Sequence, residues 1–279
     1  MLSYRHGFHA GNFADVLKHC VQVEIISYLQ KKEAPFDYID THAGAGSYAL
    51  ASDMAQKNCE YMNGIGRLFK ISELPGLQNY LRLIEGLNPE GALQQYPGSP
   101  LIAAQMLGPQ DKAWAFELHP SDAEKLRQNL PRGRQYQVRE EDGFKGLSSL
   151  LPSRARRALV LIDPPYEQKD DYQRVVDALK LIHRKMATAT VALWYPVVER
   201  RRIDALEKQL VATGIRNIEL FELGIRGDAE GHGMTSAGMI VINPPWTLRG
   251  QMDQLLPQLA ADLSADGGSH YRCVTLAAE

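Results

Sequence analysis

The chain has 279 residues, 44% of them hydrophobic and 23% charged, and it carries a net charge of -2. That length and apolar content predict one large domain, or one domain with an insert, and no apolar run approaches membrane-spanning length. The near-neutral balance excludes a polycation, so any nucleic-acid-binding surface must be local.

Met1-Leu2-Ser3-Tyr4-Arg5-His6 holds no apolar stretch of signal-peptide length. Cys20, Cys59 and Cys273 are odd in number and widely spaced. They fit three reduced thiols in a cytoplasmic protein, not a zinc site or a disulfide framework. In chain order, Val16, Leu17, Cys20, Val23, Ile26 and Leu29 repeat at helical spacing and predict a helix over 12–30, capped by Asn12. Residues 36–40 read as a short strand, followed by the tight turn Thr41-His42-Ala43-Gly44-Ala45-Gly46. Over 52–110 the pattern turns helical and polar, broken at Pro75-Gly76, Asn88-Pro89 and Pro97-Gly98. This stretch is expected to be a helical insert between two parts of one domain, 1–51 and 111–279. Ser99-Pro100 predicts a helix start there, with Ser99 as cap and Pro100 at the first position.

Strand and helix then alternate, with strands over 113–118, 136–139, 159–162 and 190–194 and helices over 121–129, 170–186 and 199–213. Two strand-like stretches, 217–223 and 238–242, flank a Gly-rich loop over 224–233 and are expected to form an antiparallel hairpin at one edge. This alternation predicts an α/β fold, a parallel sheet covered by helices on both faces.

The strongest chemical signal is Asp163-Pro164-Pro165-Tyr166. The prolines stop the apolar strand before them and fix the backbone just past its end. An acid, a rigid carbonyl and an aromatic ring thereby meet at the carboxyl edge of a sheet, where open α/β sheets bind ligands. An amino group on a flat heterocycle needs such a set: acceptors for its N–H groups and a ring against its face.

Gly44 and Gly46 let the backbone approach a ligand closely. The turn also fits a dinucleotide pattern, which makes a nicotinamide-dependent oxidoreductase one rival reading. That pattern expects an acid ending the next strand, and Glu60 follows nothing strand-like. Glu117 does close a strand, where its carboxylate can accept both hydroxyls of a ribose. Asp142-Gly143 ends the next, placed for the exocyclic amine of an adenine. Each acid alone is more often a solvated strand end or a helix cap. Taken in order, glycine turn, acid, acid and Asp-Pro-Pro-Tyr form the layout of an S-adenosylmethionine methyltransferase acting on an amino group.

The chain also resembles the RlmJ family of bacterial large-subunit rRNA adenine-N6 methyltransferases. The likeness runs through Met1-Leu2-Ser3-Tyr4-Arg5-His6, His9-Ala10-Gly11-Asn12, Ala14-Asp15-Val16-Leu17-Lys18-His19 and Asp40-Thr41-His42-Ala43-Gly44-Ala45-Gly46. It continues through Tyr96-Pro97-Gly98-Ser99-Pro100, Glu117-Leu118-His119-Pro120, Leu161-Ile162-Asp163-Pro164-Pro165-Tyr166, Leu193-Trp194-Tyr195-Pro196 and Gly238-Met239-Ile240-Val241-Ile242-Asn243-Pro244-Pro245-Trp246.

This resemblance implies a class I (Rossmann-like) S-adenosylmethionine-dependent methyltransferase sheet with an inserted small helical subdomain. It implies methylation of the N6 amine of one adenine in 23S rRNA, naked or in an early assembly intermediate. It also implies cofactor contacts at His19, His42, Ser99, Glu117, Asp142, Gly143 and Asp163, beside the Gly44 and Gly46 turn, with Asp163 as catalytic residue. Tyr4 is implied to touch the substrate nucleotide, and Arg5, Lys18 and Tyr166 are expected to join it. A monomer in the cytoplasm, without a metal or a membrane anchor, is expected; His6, His9 and His19 lack metal-ligand spacing.

On this reading Asp163 and the Pro164 carbonyl accept the two N6 hydrogens, and Tyr166 stacks on a base flipped out of its helix. Two further rivals remain: a DNA adenine methyltransferase, which sees the same N6, and a non-enzymatic RNA-binding protein on this scaffold. Bland readings stand beside the sharp ones. His19 and His42 can be hydrogen-bonded packing residues. Asn243-Pro244-Pro245-Trp246 resembles the first tetrad but ends the last predicted strand, so a terminating turn with Trp246 packed on the body is expected. The basic runs at Arg132, Arg134 and Arg139, at Arg154, Arg156 and Arg157, at His183-Arg184-Lys185 and at Arg200-Arg201-Arg202 are solvated faces or parts of a phosphate track.

Overall fold

Asn12 opens the first helix: its side-chain oxygen accepts the N–H groups of Ala14 and Asp15, each at 3.0 Å, and starts α1 (Phe13–Leu29). A helix apolar on nearly every side has to be buried, and α1 lies in the core along almost its whole length. The structure is a computed structural model that describes residues 4–69, 76–168, 170–227 and 233–279. Met1 to Ser3, Pro75 of the expected break and part of the Gly-rich loop lie outside the described residues.

After β1 (Asp37–Asp40) the glycine turn enters β2 (Ser47–Ala49), and the chain continues through α2 (Asp53–Asn58), α3 (Ile65–Leu68), α4 (Gln78–Leu87) and β3 (Gln95–Pro97). Single 3-10 turns form at His6–Phe8 and Glu60–Asn63. β2 and β3 pair antiparallel and tie the two ends of this stretch together. Strands of three residues carry too little period to be read from sequence.

α5 (Ser99–Met106) starts one residue earlier than expected: Ser99 is its first residue and not its cap, and Pro100 is its second. The cap position is Gly98, and the Ser99 hydroxyl turns inward and donates to the buried Asp40 carboxylate at 2.7 Å, a charge-assisted bond.

The remaining elements are β4 (Lys112–Phe116), α6 (Pro120–Asn129), β5 (Tyr136–Arg139), α7 (Gly143–Leu150), β6 (Ala158–Ile162), α8 (Asp171–Lys185), β7 (Thr190–Val197), α9 (Arg200–Ala212), β8 (Ile218–Gly224), β9 (Ser236–Ile242), α10 (Leu248–Asp262) and β10 (His270–Ala277). Among the described residues, eight strands form one sheet in the order β5-β4-β1-β6-β7-β9-β8-β10. β5, β4, β1, β6 and β7 are parallel. Asp40 stands level with Ala115 and Leu161, so the strands end together and their carboxyl ends share one edge. Strand order reverses at β1 and β6, which opens a crevice there.

The two late strands pair as a hairpin, but not at an edge. β9 runs antiparallel between β7 and β8, and β10 is the outer strand. β9 is buried at every position, which suits an interior strand, whereas no residue of β10 is fully buried. Because β9 runs backward, Asn243 ends it at the amino edge, where its carbonyl accepts from Thr190 at 3.0 Å. Asn243 terminates the strand with φ 50 and donates its side-chain amide to the Ala187 and Ala189 carbonyls. The turn throws Trp246 outward: it is 81% exposed and does not pack on the body as expected.

Alternation along β6 divides the core. Leu159 and Leu161 pack with α1 and α10, and Val160 and Ile162 with α8 and α9. Each such side chain contributes about 1.5–3 kcal/mol by leaving water. Among the described residues no helix is long and apolar enough to cross a membrane.

Candidate functional site

The glycine turn is shaped by contacts that leave no room for side chains. Gly44 has φ +63, and a Cβ there would sit 2.3 Å from the Tyr48 hydroxyl. Its N–H donates to Glu117 Oε2 at 2.8 Å, while the other oxygen of Glu117 accepts the His119 N–H at 2.7 Å. A Cβ on Gly143 would lie 2.1 Å from the Thr41 carbonyl oxygen. The ends of β1, β4 and β5 are thus drawn close around one cavity.

That cavity is walled by His42, Gly44, Ser99, Glu117, Asp142, Gly143, Asp163 and Pro164, with Tyr4 and Lys18 on its other side. A second cavity adjoins it, walled by Tyr166, Tyr172, Trp194, Pro196 and Met234. Tyr4, His6, Lys18, Asp163 and Pro165 line both. The reacting carboxylate expected from the sequence therefore stands in the partition between two spaces.

Three of the singled-out residues line neither cavity. His19 is fully buried behind Lys18, with Nδ1 bonded to the Tyr96 hydroxyl at 2.7 Å and Nε2 unpartnered. Gly46 supports the turn with φ +78 and a carbonyl that accepts the Gly98 N–H. Arg5 reaches Asp122 and Ser121, both at 2.9 Å, and so ties the N-terminal segment to α6.

Asp142 is a helix cap, accepting the N–H groups of Phe144 and Lys145 on one oxygen, and its other oxygen pairs with Arg174 at 2.6 Å. Tyr166 has φ 52, a left-handed backbone that non-glycine residues adopt at a cost. It is held there by its hydroxyl, which donates to the Trp194 carbonyl at 2.8 Å, and by Tyr172, ring centroids 4.7 Å apart.

Sequence reasoning missed the partner set around Asp163. Lys18 Nζ lies 2.6 Å from Asp163 Oδ2 and 2.8 Å from Asp15 Oδ1. Asp15 Oδ2 in turn meets His6 Nε2 at 2.8 Å, and His6 Nδ1 meets the Tyr4 hydroxyl at 2.9 Å. The available signal was the charged pair Asp15 and Lys18, three residues apart on a helix that is otherwise mostly apolar.

Burial pushes the Asp15 carboxyl up, but His6 and the Lys18 ammonium outweigh it and hold it well below the ordinary range. Burial likewise pushes Lys18 down, and the two carboxylates reverse this, leaving it well above the usual lysine value. A buried ammonium between two carboxylates keeps its proton. Burial lowers His42 to about 4, so its imidazole is neutral.

Asp40 lies under the turn and accepts from Ser99, Tyr38 and the His42 N–H. Burial raises its carboxyl from 3.8 to about 6. The folded state thus binds this proton more tightly than the unfolded chain, and Asp40's contribution to stability is lost as pH rises from about 4 to 6. Asp40→Asn is expected to remove that part of the pH dependence, measured as unfolding free energy against pH for both proteins. An unchanged slope in the variant would remove Asp40 as its source.

Among the described residues no group of three His, Cys, Asp or Glu is arranged to hold a metal ion. The sheet order is that of the class I methyltransferases, whose cofactor is S-adenosylmethionine. The first cavity suits that group, with glycine backbone at its turn, a carboxylate at Glu117 and the Asp142-Gly143 helix start beyond it.

Comparison with known proteins agrees. The family model described as "Ribosomal RNA large subunit methyltransferase D, RlmJ" matches residues 33–275. A protein of Escherichia coli (strain K12) named "Ribosomal RNA large subunit methyltransferase J" is 49% identical over 271 residues, 97% of each chain. A Haemophilus influenzae protein of the same name is 49% identical over 269 residues, 96% of each chain. The crystal structure of a Legionella pneumophila protein, 32% identical, superposes with a TM-score of 0.89, covering 96% of this chain and 98% of that one. A match over most of the length and relatives at this identity give one assignment: the chain belongs to the RlmJ family of ribosomal RNA large-subunit methyltransferases.

Proposed function

We propose that this protein methylates the exocyclic N6 amine of one adenine in 23S rRNA, working in the cytoplasm as a monomer. The observation that carries the reading is the place of Asp163 in the partition between the two cavities. One cavity takes the cofactor and the other takes the target base, so the acid stands where the methyl group must cross. When bound, S-adenosylmethionine supplies a methyl group on a positively charged sulfur.

The N6 lone pair of adenine is conjugated into the ring and is a poor nucleophile. Asp163 Oδ2 is occupied by Lys18, which fixes the carboxylate and leaves Oδ1 for one N6 hydrogen. The Pro164 carbonyl accepts the second. Two acceptors draw the nitrogen toward a tetrahedral shape and aim its lone pair across the partition. Such fixed complementarity is worth on the order of 3 kcal/mol per group. The N6 proton is released to Asp163 after transfer, when the methylated nitrogen is acidic.

Tyr166 stacks on the base, worth roughly 1–3 kcal/mol, and its strained backbone is held by Trp194 and Tyr172 so that the ring stays in place. The base must leave its helix to enter, which favours a looped or single-stranded adenine. The segment 52–110, the helical insert on this reading, reaches the wall of the substrate cavity through Glu60, which meets His9 Nδ1 at 2.9 Å.

Glu117 is the ribose acceptor. It already accepts two backbone N–H groups, and its carboxylate has lone pairs left for hydroxyls. Glu117→Ala is expected to weaken cofactor binding about tenfold to a hundredfold, since bonds to a charged group are worth about 1.5–3 kcal/mol. Calorimetry with S-adenosylhomocysteine measures it, and an unchanged Kd removes the ribose role.

The reading as a whole is tested by tritium transfer from labelled S-adenosylmethionine to protein-free 23S rRNA, with DNA alongside. Label on N6 of one adenine supports it. Label on DNA alone keeps the chemistry and overturns the substrate, and label on neither overturns the naked-rRNA reading.

A further inference from the structure

The residues between the insert and the substrate cavity form a second line of contacts that the methyl-transfer chemistry does not use. His9 and Asn12 line the substrate cavity, and both are bonded to one acid of the insert. Glu60 Oε1 meets His9 Nδ1 at 2.9 Å, and Glu60 Oε2 accepts from the Asn12 side-chain amide at 2.9 Å. On its other side the His9 ring stacks on the Tyr4 ring, with centroids 5.7 Å apart and planes 11° from parallel. Tyr4 is 38% exposed at the mouth of both cavities.

The insert also holds the backbone on either side of His9. The Ile65 N–H donates to the Gly11 carbonyl at 2.9 Å, and a Cβ on Gly64 would lie 2.1 Å from that oxygen. Lys57 lies over the Phe8 ring at 5.6 Å, and the Met54 side chain is 3.2 Å from where a Cβ on Gly7 would be. The segment from Gly7 to Asn12 is therefore seated on the insert, while His9 and Asn12 also line the cavity.

We infer that Glu60 is a positioning residue for the target nucleotide: by fixing His9 it sets the plane of the Tyr4 ring at the cavity mouth. The inference rests on the proposed function, because it assumes that the nucleotide meets Tyr4. Asn12 immobilises the second oxygen of Glu60, and its own oxygen caps α1, so the acid cannot turn away from His9 without disturbing the helix start. A nucleotide entering past Tyr4 then meets a ring already oriented, and the insert contributes to substrate binding without touching the reacting atoms.

Three variants test this: Glu60→Ala, Glu60→Gln and His9→Leu, each alone and combined with Tyr4→Ala. Steady-state kinetics with 23S rRNA are measured beside cofactor Kd. Tyr4→Ala is expected to lower kcat/KM for RNA at least tenfold with cofactor affinity unchanged, and Glu60→Ala to lower it about tenfold, mostly through KM. Glu60→Gln keeps an acceptor and a donor and should restore most of the loss. Combined with Tyr4→Ala, neither Glu60→Ala nor His9→Leu should add more than about twofold, since both act through the same ring.

Should Glu60→Ala melt early, His9→Leu breaks the same link while leaving the Glu60–Asn12 bond, and its kinetics decide. Losses that multiply with Tyr4→Ala, or a kcat/KM unchanged in both Glu60→Ala and His9→Leu, overturn the inference while the proposed function stands. A normal Tyr4→Ala enzyme overturns the nucleotide's contact with Tyr4 and the inference together.

Discussion

Asp163→Ala is expected to reduce methyl transfer to RNA by about a hundredfold to a thousandfold, the size of effect seen on removing one charge-complementary group from an active site. The loss should fall on the chemical step. Asp163 faces both cavities, but the glycine turn, Glu117 and Asp142 stay in place without it, so S-adenosylhomocysteine should still bind. Asp163→Asn separates two roles of the side chain. It keeps an oxygen for the N6 hydrogen and loses the charge that holds Lys18 at 2.6 Å. An intermediate rate would assign part of the effect to hydrogen bonding and part to charge. Single-turnover transfer at saturating RNA and cofactor measures both variants, and a wild-type rate for Asp163→Ala would sink the mechanism.

Lys18→Met should have the largest effect on the fold. Lys18 is 4% exposed and Asp15 2%, and the ammonium is the cation shared by two carboxylates. Removing one partner of a buried ion pair typically costs about 3–5 kcal/mol, because the remaining charges stay desolvated. Here the two acids would also face each other. The sign with pH follows. In the natural protein Asp15 lies well below its ordinary value, so its stabilisation is present at neutral pH and is lost only as pH falls through that low value. Without Lys18, Asp15 keeps His6 but loses its second cation, so its carboxyl is held down less and the gap in stability between the two proteins should narrow as pH falls from neutrality. Urea midpoints at several pH values test this, and parallel curves for the two proteins would show that Lys18 carries no such load. Methyl transfer should fall as well, since Asp163 loses the contact that fixes its orientation.

Much of the parallel half of the sheet was legible because apolar runs such as 159–162 alternate with amphipathic helices, and because each strand ends in a chemically distinctive residue. Glu117, Asp142 and Asp163 were readable for the same reason: in a parallel sheet the end of each strand is also an address at the ligand edge. What escaped was set by distance in sequence. Nothing local says that Lys18 meets a residue 145 positions later, and Ser99 looked like a cap because its partner, Asp40, is 59 positions earlier. β10 escaped because an edge strand with no fully buried residue has no strong period. Trp246 was misplaced because an aromatic after a Pro-Pro turn is ordinarily packed, and only the geometry at Asn243 turns it outward.

The reversed course of β9 gives the molecule two tetrads of nearly the same lettering and one site. Asn243-Pro244-Pro245-Trp246 has its own polar residue, its own rigid carbonyl and its own ring, yet the glycine turn, Glu117 and Asp163 lie at the opposite ends of the strands from it. Residue identity is a scalar, and strand polarity makes it a vector: a polar residue, two prolines and a ring are placed for chemistry when delivered in one direction and are punctuation in the other. A search for amino-directed methyltransferases that scores the tetrad without the sense of its strand counts this chain twice.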